Sequence, residues 1–432
     1  MEHNVTRRDL LRYASAAAGT ALSASRIIGA NGKINTAVIG LGGRGAWLMK
    51  MALKRAEVRN DVAIVALCDV YQKRLNEAQA EARKQNHDPQ TYTHHQDLLQ
   101  RNDLDAVLIA TPDHWHGPIS LAAFDRGLDV YCEKPMTHTV EEAAVVAAKA
   151  REKQRIMQIG VQALSWKRWH KIKEIVAAGT LGQVVAVQGT YSRNDPKGDW
   201  NWDINAAAGP EASGENHIDW KQWLGAAPQR TYDADRFFRF RKYWDYSGGI
   251  ATDLHYHIVA PFHLALENAH PTRVSGMGGL WVYNDGREVP DTFLTAADYP
   301  GKYSLTVQSS QVNEIGPTML LRGTKATLHL GDEWEGPQGR NTTYARIVPD
   351  TPFKEEFRKQ HGKDEIIVEN VGNDTDQPHM ENFFDCVHSR QQPNCHADLG
   401  WKVMTAIDLS VRSYRENKVF LIDPASGRIR QG

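Results

Sequence analysis

Three glycines near the start of the chain have the spacing of a phosphate-binding loop. Gly40, Gly42 and Gly45 form the pattern G-x-G-x-x-G, which follows an apolar run at 34–39 and opens a helical stretch at 46–55. In that context the first glycine permits a tight turn, the second lets the backbone approach a pyrophosphate, and the third lets the helix pack closely. A helix N-terminus also presents free N–H groups and a positive dipole end to phosphates. The predicted dinucleotide contacts of this loop are Gly40, Gly42, Gly43, Arg44 and Gly45.

An acidic residue ends the apolar run at 62–68 that follows the glycine loop. Asp69 stands where a carboxylate can accept hydrogen bonds from the ribose hydroxyls of a dinucleotide and can repel a 2′-phosphate. The position therefore favours NAD over NADP as the cofactor, although Lys73 and Arg74 nearby weaken that preference. The alternative interpretation is a glycine turn in an α/β fold that binds no nucleotide.

Alternating strand-like and helix-like segments must position these residues. Short apolar runs alternate with helical stretches from Lys33 to about residue 155, which is typical of a doubly wound parallel sheet. We therefore predict an N-terminal, NAD-binding Rossmann domain at 33–155. The expected strands are 34–39, 62–68, 106–110 and 129–132, and the expected helices are 46–55, 71–85, 119–126 and 140–152.

The pattern changes after residue 155. Longer segments now alternate between apolar and polar residues, which indicates strands with one polar face, and helical patterns return near the end of the chain. These features predict a second α/β domain at 156–432, built on a large, open, mostly antiparallel sheet. Its expected strands lie within 182–188, 292–310 and 318–330, and its expected helices are 379–389 and 400–416.

The first 30 residues carry an export motif. Residues 6–12 (TRRDLLR) resemble the twin-arginine signal, and a stretch rich in small residues follows at 13–24. The expected leader is 1–30, with a cleavage site after Ala24 or Ala30. The periplasm, or another compartment reached by the twin-arginine pathway, is therefore the expected location. The alternative is an ordinary amphipathic N-terminal helix.

Charge and hydropathy argue against two classes of partner. Lys and Arg number 51 against 52 Asp and Glu, which gives a formal net charge of -1. Such a balance provides no global field to attract nucleic acid or an anionic membrane. No stretch after the leader approaches the roughly 18 consecutive apolar residues of a membrane-spanning helix.

The four cysteines lack the C-x-x-C spacing of zinc ribbons and thioredoxin-like sites. Cys68 and Cys132 lie in apolar runs, where a small buried thiol is expected. Cys386 and Cys395 could form a disulfide in an oxidising compartment, and the sequence alone leaves that question open.

Further motifs give the chain a resemblance to a known family. The segments 111–116 (TPDHWH) and 133–135 (EKP) follow strand ends, and a Gly-Gly pair at 248–249 precedes Asp253 and His257. With the glycine loop and the LRGTKATL segment of the second domain, these motifs resemble the glucose–fructose oxidoreductase / inositol dehydrogenase (Gfo/Idh/MocA) family. The resemblance covers nearly all of the chain after the leader, and it specifies the family but no substrate.

The resemblance implies three catalytic residues. Lys134 is expected beside the nicotinamide and the substrate, His257 is expected to be the catalytic histidine, and Asp253 is expected to orient it. Oxidation of a secondary alcohol by hydride loss needs a base for the hydroxyl proton and a cation near the developing oxyanion, which suits these residue types. A spacing of four would place Asp253 and His257 on one face of a helix.

Structural roles are the alternatives for the same residues. Lys134 could cap a strand end, and His257 could be a satisfied core histidine. A metal site that includes His255 is not expected, because that residue would face away from Asp253 and His257 on a helix and the family scaffold normally needs no metal.

The resemblance also places the 111–116 loop on the nicotinamide side, at the carboxyl end of a strand. The aromatic residues near 191–202 could stack on sugar rings, or could equally belong to the core or a dimer interface. The expected cofactor contacts beyond the glycine loop are Asp69, Thr111, Pro112, His116, Glu133 and Lys134. The expected substrate contacts are His116, Gln162, Tyr191, Arg193, Trp202 and His257.

These features predict an NAD(P)-dependent oxidoreductase that acts on a sugar, a sugar derivative or a polyol, as a homodimer or homotetramer. Because an exported enzyme has no free NAD pool, we expect a tightly held cofactor that is reduced and reoxidised in each turnover. One alternative is an NAD-dependent glycoside hydrolase or lyase that works by transient oxidation and elimination, with Tyr191, Tyr243 or Tyr256 as the second base. Another is a non-catalytic sugar-binding protein.

Overall fold

The computed structural model describes residues 32–330, 343–369 and 375–430. The expected export signal lies outside these described residues. In the described part of the chain, no helix combines the length and the apolar composition needed to cross a bilayer.

The N-terminal domain contains a six-stranded sheet whose strands are all parallel. Its strands are β1 Ile34–Ile39, β2 Val62–Cys68, β3 Gln90–Tyr92, β4 Ala106–Ile109, β5 Asp129–Glu133 and β6 Met157–Gly160. They are ordered β3-β2-β1-β4-β5-β6, so the chain reverses direction across the sheet between β1 and β4. Strands β4, β5 and β6 are buried at every residue, as expected where helices cover both faces of a parallel sheet. The predicted Rossmann sheet is confirmed, and β6 extends it beyond the expected boundary at residue 155.

Five helices connect these strands. They are α1 Gly43–Arg59, α2 Gln72–Arg83, α3 His95–Leu98, α4 Asp113–Asp125 and α5 Val140–Glu152. Helix α5 begins with a capping box, in which the Thr139 hydroxyl accepts from the Glu142 N–H and the Glu142 carboxylate accepts from the Thr139 N–H. Helix α4 begins at Asp113, not at the expected residue 119. Its first turns were missed because Gly117 and Pro118 are poor helix formers.

The second domain is built on a ten-stranded sheet. Its strands are β7 Val184–Gly189, β8 Arg273–Gly279, β9 Thr292–Tyr299, β10 Tyr303–Ser310, β11 Leu320–Gly323, β12 Ala326–Leu330, β13 Thr343–Pro349, β14 Ile366–Glu369, β15 Phe420–Ile422 and β16 Ile429–Arg430. The order is β14-β13-β12-β11-β7-β10-β9-β8-β15-β16, and neighbouring strands are antiparallel except for β7 and β10. The predicted large, mostly antiparallel sheet is thus confirmed.

The second domain also contains helices. Some of them cover one face of this sheet, and others reach back to the first domain. They are α6 Lys167–Ala177, α7 Trp220–Leu224, α8 Ala234–Phe238, α9 Tyr256–Leu266, α10 Lys354–His361, α11 Gln377–Ser389 and α12 Ala397–Glu416. Helix α12 lies so close to β8 that a Cβ on Gly276 would stand 2.1 Å from the Ser410 carbonyl oxygen. Helix α11 instead packs Phe383 and Phe384 into the core of the Rossmann domain. The buried Arg55 of α1 pairs with Glu381 of α11 at 2.7 Å, which ties the two domains together.

Candidate active site

A cavity of about 640 Å³ opens at the carboxyl ends of the parallel strands. Its walls come from both domains: the glycine loop and the ends of β2, β4 and β5 on one side, and residues 193–257 on the other. Open α/β sheets bind ligands at this edge, next to the point where the strand order reverses. The cavity is therefore the natural place for a cofactor and a substrate to meet.

The glycine loop forms the cavity wall between β1 and α1. Gly40 has φ +85, and a Cβ there would stand 2.6 Å from the Ala110 carbonyl oxygen, so only glycine fits this turn. A Cβ on Gly45 would stand 1.8 Å from the Gly40 carbonyl oxygen, which shows how closely the first turn of α1 rests on the loop. Gly42 and Gly43 face the cavity, whereas Gly45 is buried behind it.

Asp69 lies at the end of β2 in the same wall. Its carboxylate accepts hydrogen bonds from the backbone N–H groups of Leu41, at 2.6 Å, and Tyr71, at 2.8 Å. These bonds fix the carboxylate beside the glycine loop, and each oxygen retains a lone pair for a ribose hydroxyl.

Two buried polar atoms in the cavity wall have no hydrogen-bond partner among the described residues. They are one terminal nitrogen of Arg44, Nη2, and the hydroxyl of Thr111. Buried polar groups are seldom left unpaired, so these atoms point to a polar ligand that completes their bonding. With the cradle at Gly40 and Gly42, they fit the pyrophosphate and amide groups of a nicotinamide dinucleotide.

Arg44 is held in place by two carboxylates. Its Nε donates to Glu133 at 2.7 Å, and its Nη1 donates to Asp376 at 2.7 Å. Glu133, the first residue of the EKP motif, therefore positions Arg44 as well as lining the cavity. The peptide bond between Lys134 and Pro135 is cis.

Lys134 and Asp253 form a buried ion pair at the opposite end of the cavity. The Lys134 ammonium donates to the Asp253 carboxylate at 2.6 Å and to the Asp253 carbonyl oxygen at 2.7 Å. The same carboxylate oxygen, Oδ1, accepts from Arg241 Nε at 2.9 Å, and Oδ2 accepts from the Trp200 indole at 2.9 Å. Asp253 thus joins two cations that both face the cavity.

The structure corrects the role expected for Asp253. No hydrogen bond joins Asp253 to His257 among those of the described residues, because Asp253 lies in a π-helical turn, Ala251–His255, and His257 follows in α9. A wider turn breaks the four-residue spacing that would have aligned the two side chains. Neither ring nitrogen of His257 has a hydrogen-bond partner within the described chain, and the ring lines the cavity. Its nitrogens are therefore available to a ligand.

Burial and neighbouring charges set the protonation states of His257, Asp253 and Lys134. Burial and the Lys134 charge lower the pKa of His257 well below its ordinary value, so the ring is neutral at neutral pH. Burial alone would raise the pKa of the Asp253 carboxyl, but Arg241, Lys134 and Arg193 hold it well below its ordinary value. Burial lowers the pKa of Lys134, although Asp253 opposes that effect.

Most of the residues expected to bind cofactor or substrate line this one cavity. His116 does not: its buried ring lies between the carbonyl oxygens of Pro135, 2.6 Å from Nδ1, and Thr111, 2.8 Å from Nε2. Because α4 starts early, His116 falls in its first turns and faces inward. The expected residues in the cavity wall are Gly40, Gly42, Gly43, Arg44, Asp69, Thr111, Pro112, Glu133, Lys134, Gln162, Arg193, Trp202, Asp253 and His257.

The three tyrosines considered as a second base lie outside the cavity wall. The Tyr191 ring packs edge-on against His257, with centroids 5.9 Å apart, and its hydroxyl accepts from Arg193 at 2.9 Å. The Tyr243 hydroxyl donates to Asp235, and the buried Tyr256 hydroxyl donates to the Gly400 carbonyl oxygen at 3.1 Å. Only Tyr191 is near the reacting group.

The structure also shows the surroundings of His255 and of the four cysteines. His255 faces away from the cavity and contacts the Thr295 hydroxyl at 2.9 Å. All four cysteines are buried free thiols, so Cys386 and Cys395 form no disulfide in this structure.

Residues 200–246, here called the strap, cross from the second domain and cover one side of the cavity. An aromatic cluster centred on Trp220, Trp223 and Tyr246 forms the strap core, and it includes Tyr71 of the Rossmann domain. Trp223, Phe237 and Phe238 face the cavity beside Arg74, whose guanidinium lies 5.4 Å from the Phe237 ring centroid.

Hydrogen bonds fasten the strap to the Rossmann domain. Ile218 forms a β-bridge with Tyr71, and the Asp219 N–H donates to the Val70 carbonyl oxygen at 2.9 Å. The Trp223 carbonyl oxygen accepts from the Trp115 indole at 2.7 Å and lies 3.0 Å from the His114 ring.

Sequence reasoning missed the strap as a unit, and of the side chains that it brings to the cavity only Trp202 was expected. Arg241 was the main omission, and the only signal for it was the run of basic and aromatic residues at 236–244 (RFFRFRKYW). Trp223 and Phe237 gave no separate signal, because aromatic residues in irregular segments are as common in cores as in sites.

Comparisons with known proteins agree with this architecture. A family model described as "Oxidoreductase family, NAD-binding Rossmann fold" (GFO_IDH_MocA) matches residues 34–161. A second model, "Oxidoreductase family, C-terminal alpha/beta domain" (GFO_IDH_MocA_C2), matches residues 167–276.

Two curated relatives match part of the chain. Inositol 2-dehydrogenase of Salmonella typhimurium is 27% identical over 159 residues, which is 37% of this chain and 46% of the relative. A glycosyl hydrolase family 109 protein of Shewanella baltica is 30% identical over 135 residues, which is 30% of this chain and 29% of the relative. The match spans less than half of either relative.

Solved structures share the fold over nearly the whole chain. Levoglucosan dehydrogenase in complex with NADH and L-sorbose superposes with a TM-score of 0.69 at 16% identity, covering 91% of this chain and 100% of that chain. Aldose-aldose oxidoreductase from Caulobacter crescentus, complexed with glycerol, has a TM-score of 0.65 at 16% identity and covers 90% and 100%. Together with the two family models, these observations show that the chain belongs to the Gfo/Idh/MocA oxidoreductase family and carries its NAD-binding Rossmann domain.

Proposed function

We propose that this protein oxidises a hydroxyl carbon of a sugar, a sugar derivative or a polyol with a bound nicotinamide dinucleotide. The observation that carries the proposal is a single continuous cavity, with the glycine loop and Asp69 at one end and Lys134 and His257 at the other. A dinucleotide bound along this wall has its pyrophosphate at α1 and its nicotinamide near the EKP motif.

The bound dinucleotide supplies the hydride acceptor, and the residues at the Lys134 end of the cavity handle the proton and the charge. His257 is neutral, and its ring nitrogens are unoccupied by protein groups, so it accepts the proton of the substrate hydroxyl. Lys134 is held by Asp253 and places its positive charge where the developing alkoxide forms. Retention of both groups argues against a non-catalytic sugar-binding protein.

The preferred cofactor is NAD rather than NADP. Asp69 presents a carboxylate at the position where a 2′-phosphate would stand, and repulsion between them disfavours NADP. Arg74 lines the same part of the cavity, and its positive charge reduces the preference for NAD over NADP.

We infer that the cofactor stays bound between turnovers. The strap closes over the adenosine side and is fastened through Tyr71, Val70 and Trp115, so release requires that several hydrogen bonds and an aromatic cluster open. Retention of this kind suits the export that we propose from the twin-arginine motif, because no free NAD pool would serve an exported enzyme. Reoxidation by a second, carbonyl-bearing sugar then completes the cycle.

Glycoside cleavage through transient oxidation is the second candidate, favoured by the match to the glycosyl hydrolase family 109 protein. Oxidation of one sugar carbon acidifies the neighbouring C–H, loss of that proton expels the glycosidic oxygen, and water addition and re-reduction restore the sugar. That route needs a second base, and Tyr191 is the tyrosine nearest to His257.

The open face of the large sheet is the surface that we propose for self-association into a dimer or tetramer. Met277 of β8 and the adjacent Trp281 are exposed there, at 62% and 69% of their surface. Exposed apolar patches of this kind mark interaction sites.

A panel of aldoses, polyols and glycosides, given to the purified protein without added nucleotide, tests the proposed reaction. The expected result is a rise in reduced-nicotinamide absorbance with at least one sugar or polyol, reversed by a carbonyl-bearing sugar. Release of an aglycone without net reduction would instead support glycoside cleavage. Bound dinucleotide that no member of the panel reduces or turns over would contradict both forms of the proposal.

A further inference from the structure

Three cationic side chains line the substrate end of the cavity. Lys134, Arg193 and Arg241 all face it, together with His257. Oxidation of a neutral sugar requires one cation near the alkoxide, which Lys134 provides. The two arginines therefore need a separate explanation.

Arg241 has unused donors that face the cavity. Its Nε is engaged by Asp253 at 2.9 Å, but its two terminal nitrogens have no hydrogen-bond partner among the described residues. The guanidinium lies over two aromatic rings, with its Cζ 4.7 Å from the Phe240 centroid and 5.3 Å from the Trp202 centroid. An arginine fixed in this way offers a pre-oriented pair of N–H donors, which matches the geometry of a carboxylate.

Arg193 stands beside the catalytic histidine. Its guanidinium lies 4.8 Å from the centroid of Tyr191, whose ring packs against His257. It donates to the Tyr191 hydroxyl, and its nearest carboxylate, Asp199, is 3.7 Å away, beyond hydrogen-bond distance. Arg193 is thus an incompletely neutralised cation on the substrate side.

The acids of this region do not occupy the remaining N–H donors of the two arginines. Both oxygens of Asp253 are occupied, by Lys134, Arg241 and Trp200. Asp199 accepts from Gln311 at 2.9 Å, and burial raises the pKa of its carboxyl despite the opposing Arg193 charge. Asp203 is exposed at the cavity rim and has no ion pair within the described part of the chain.

The cofactor phosphates do not explain the two arginines. The cradle for the pyrophosphate lies at the glycine loop and Arg44, whereas Arg241 contacts Asp253 and Arg193 neighbours His257. Their free donors face the space next to the groups that handle the reacting hydroxyl.

We propose that the substrate is a sugar acid, whose carboxylate is bound by Arg241 and Arg193 while Lys134 and His257 act on a hydroxyl of the same ring. The proposal rests on the proposed function and narrows its substrate class. Sulfate and phosphate esters of sugars are also anionic, and the experiment compares their binding with that of the carboxylates.

Equilibrium binding to the holoprotein, measured by titration calorimetry, tests the assignment. The ligands are uronic acids of the gluco, galacto and manno series, each with its neutral aldose, its uronamide and its phosphate and sulfate esters. We expect at least one uronate to bind about tenfold to hundredfold more tightly than its aldose and its uronamide, which keeps the shape but lacks the charge. Equal binding of all acids and their neutral partners would overturn the proposal, as would tighter binding of an ester than of every uronate.

Single substitutions assign the preference to the arginines. Arg193→Gln and Arg241→Gln should each remove most of the uronate preference, measured as the ratio of uronate affinity to aldose affinity. Arg358 is an exposed arginine of α10 that pairs with Asp364. Arg358→Gln is the matched control and should retain the uronate preference. Arg241→Gln removes a partner of Asp253, so Arg193→Gln decides the test if the first variant does not fold. A preference that persists in Arg193→Gln overturns the proposal.

The dinucleotide content of the same samples separates this inference from the proposed function. A protein without dinucleotide that still prefers uronates would contradict the proposed function alone. A protein with bound dinucleotide and no uronate preference would contradict the sugar-acid inference alone.

Discussion

At the residue scale, Asp253 forms its hydrogen bonds with the cations of the site and not with the histidine. Its carboxylate accepts from both Lys134 and Arg241, while His257 stands free in the cavity. The acid therefore controls how readily the Lys134 ammonium keeps its proton. This arrangement leads to a prediction about pH dependence.

Replacement of Asp253 by Asn should move the alkaline limb of the pH profile to lower pH. Burial already lowers the pKa of Lys134 from its ordinary value, and the Asp253 charge opposes that shift. Loss of this negative charge lowers the Lys134 pKa further, so the ammonium is lost at a lower pH. The measurement is kcat/KM for cofactor reduction as a function of pH. An alkaline limb at the same pH in both proteins would show that Asp253 does not tune Lys134.

Lys134→Met should slow substrate oxidation by roughly 10²–10³-fold, the effect of removing one preorganised group that stabilises an oxyanion. Dinucleotide content should not change, since the glycine loop is untouched. Single-turnover reduction of the bound cofactor measures the effect, with the exposed Lys171→Met as the control. A rate within a few fold of the unaltered protein would remove Lys134 from the mechanism.

Individual residues of the site were predictable to different degrees. Lys134, Asp253 and His257 stand in motifs, so the sequence identified them. Arg241 could not be identified, because it reaches Asp253 through an irregular segment whose path has no periodicity to follow. His116 was misplaced because the start of α4 was concealed by Gly117 and Pro118.

At the scale of elements, the contact between α1 and the glycine loop requires that Gly45 lack a side chain. Gly45→Ala should destabilise the protein by about 1–3 kcal/mol or more, because the new Cβ would stand 1.8 Å from the Gly40 carbonyl oxygen and the helix must move. Gly43→Ala is the matched control, since no atom lies within 4 Å of its Cβ position. Thermal unfolding of both variants gives the comparison. Equal melting temperatures would mean that α1 does not rest on the loop as described.

The strap predicts slow cofactor release. Ile218→Ala removes a fully buried side chain from the strap cluster, and such truncations cost about 2–5 kcal/mol locally. We expect the bound dinucleotide to dissociate at least about tenfold faster, followed as dinucleotide retained after repeated gel filtration. Ile315→Ala, at an exposed isoleucine, is the control and should retain its cofactor. Unchanged retention in Ile218→Ala would show that the strap does not hold the cofactor.

Regular elements were predictable and the strap was not, for one physical reason. Buried parallel strands and their helices have periodic hydrophobic patterns, so β1, β2 and α5 were located to within a residue or two. The strap has only short helices, and its aromatic residues are spaced irregularly. Its packing is set by contacts with Tyr71 and Trp115, which lie far earlier in the chain.

At the scale of the whole molecule, both domains contribute walls to the cavity of the proposed site. The alternation of strands and helices predicted both sheets, including the mostly antiparallel character of the second. The return of α11 to pack on the Rossmann domain was not predicted, since an amphipathic pattern shows that a helix has a buried face but not which surface covers it. The strap, which lines one side of the cavity, encloses the proposed site further.

We propose that this cavity holds a nicotinamide dinucleotide through purification and turnover. The direct measurement is to purify the protein without added nucleotide, denature it, and assay the released NAD(H) and NADP(H) against the amount of chain. We expect close to one dinucleotide per chain, mainly NAD(H). A protein that is empty and binds added NAD only weakly would contradict it.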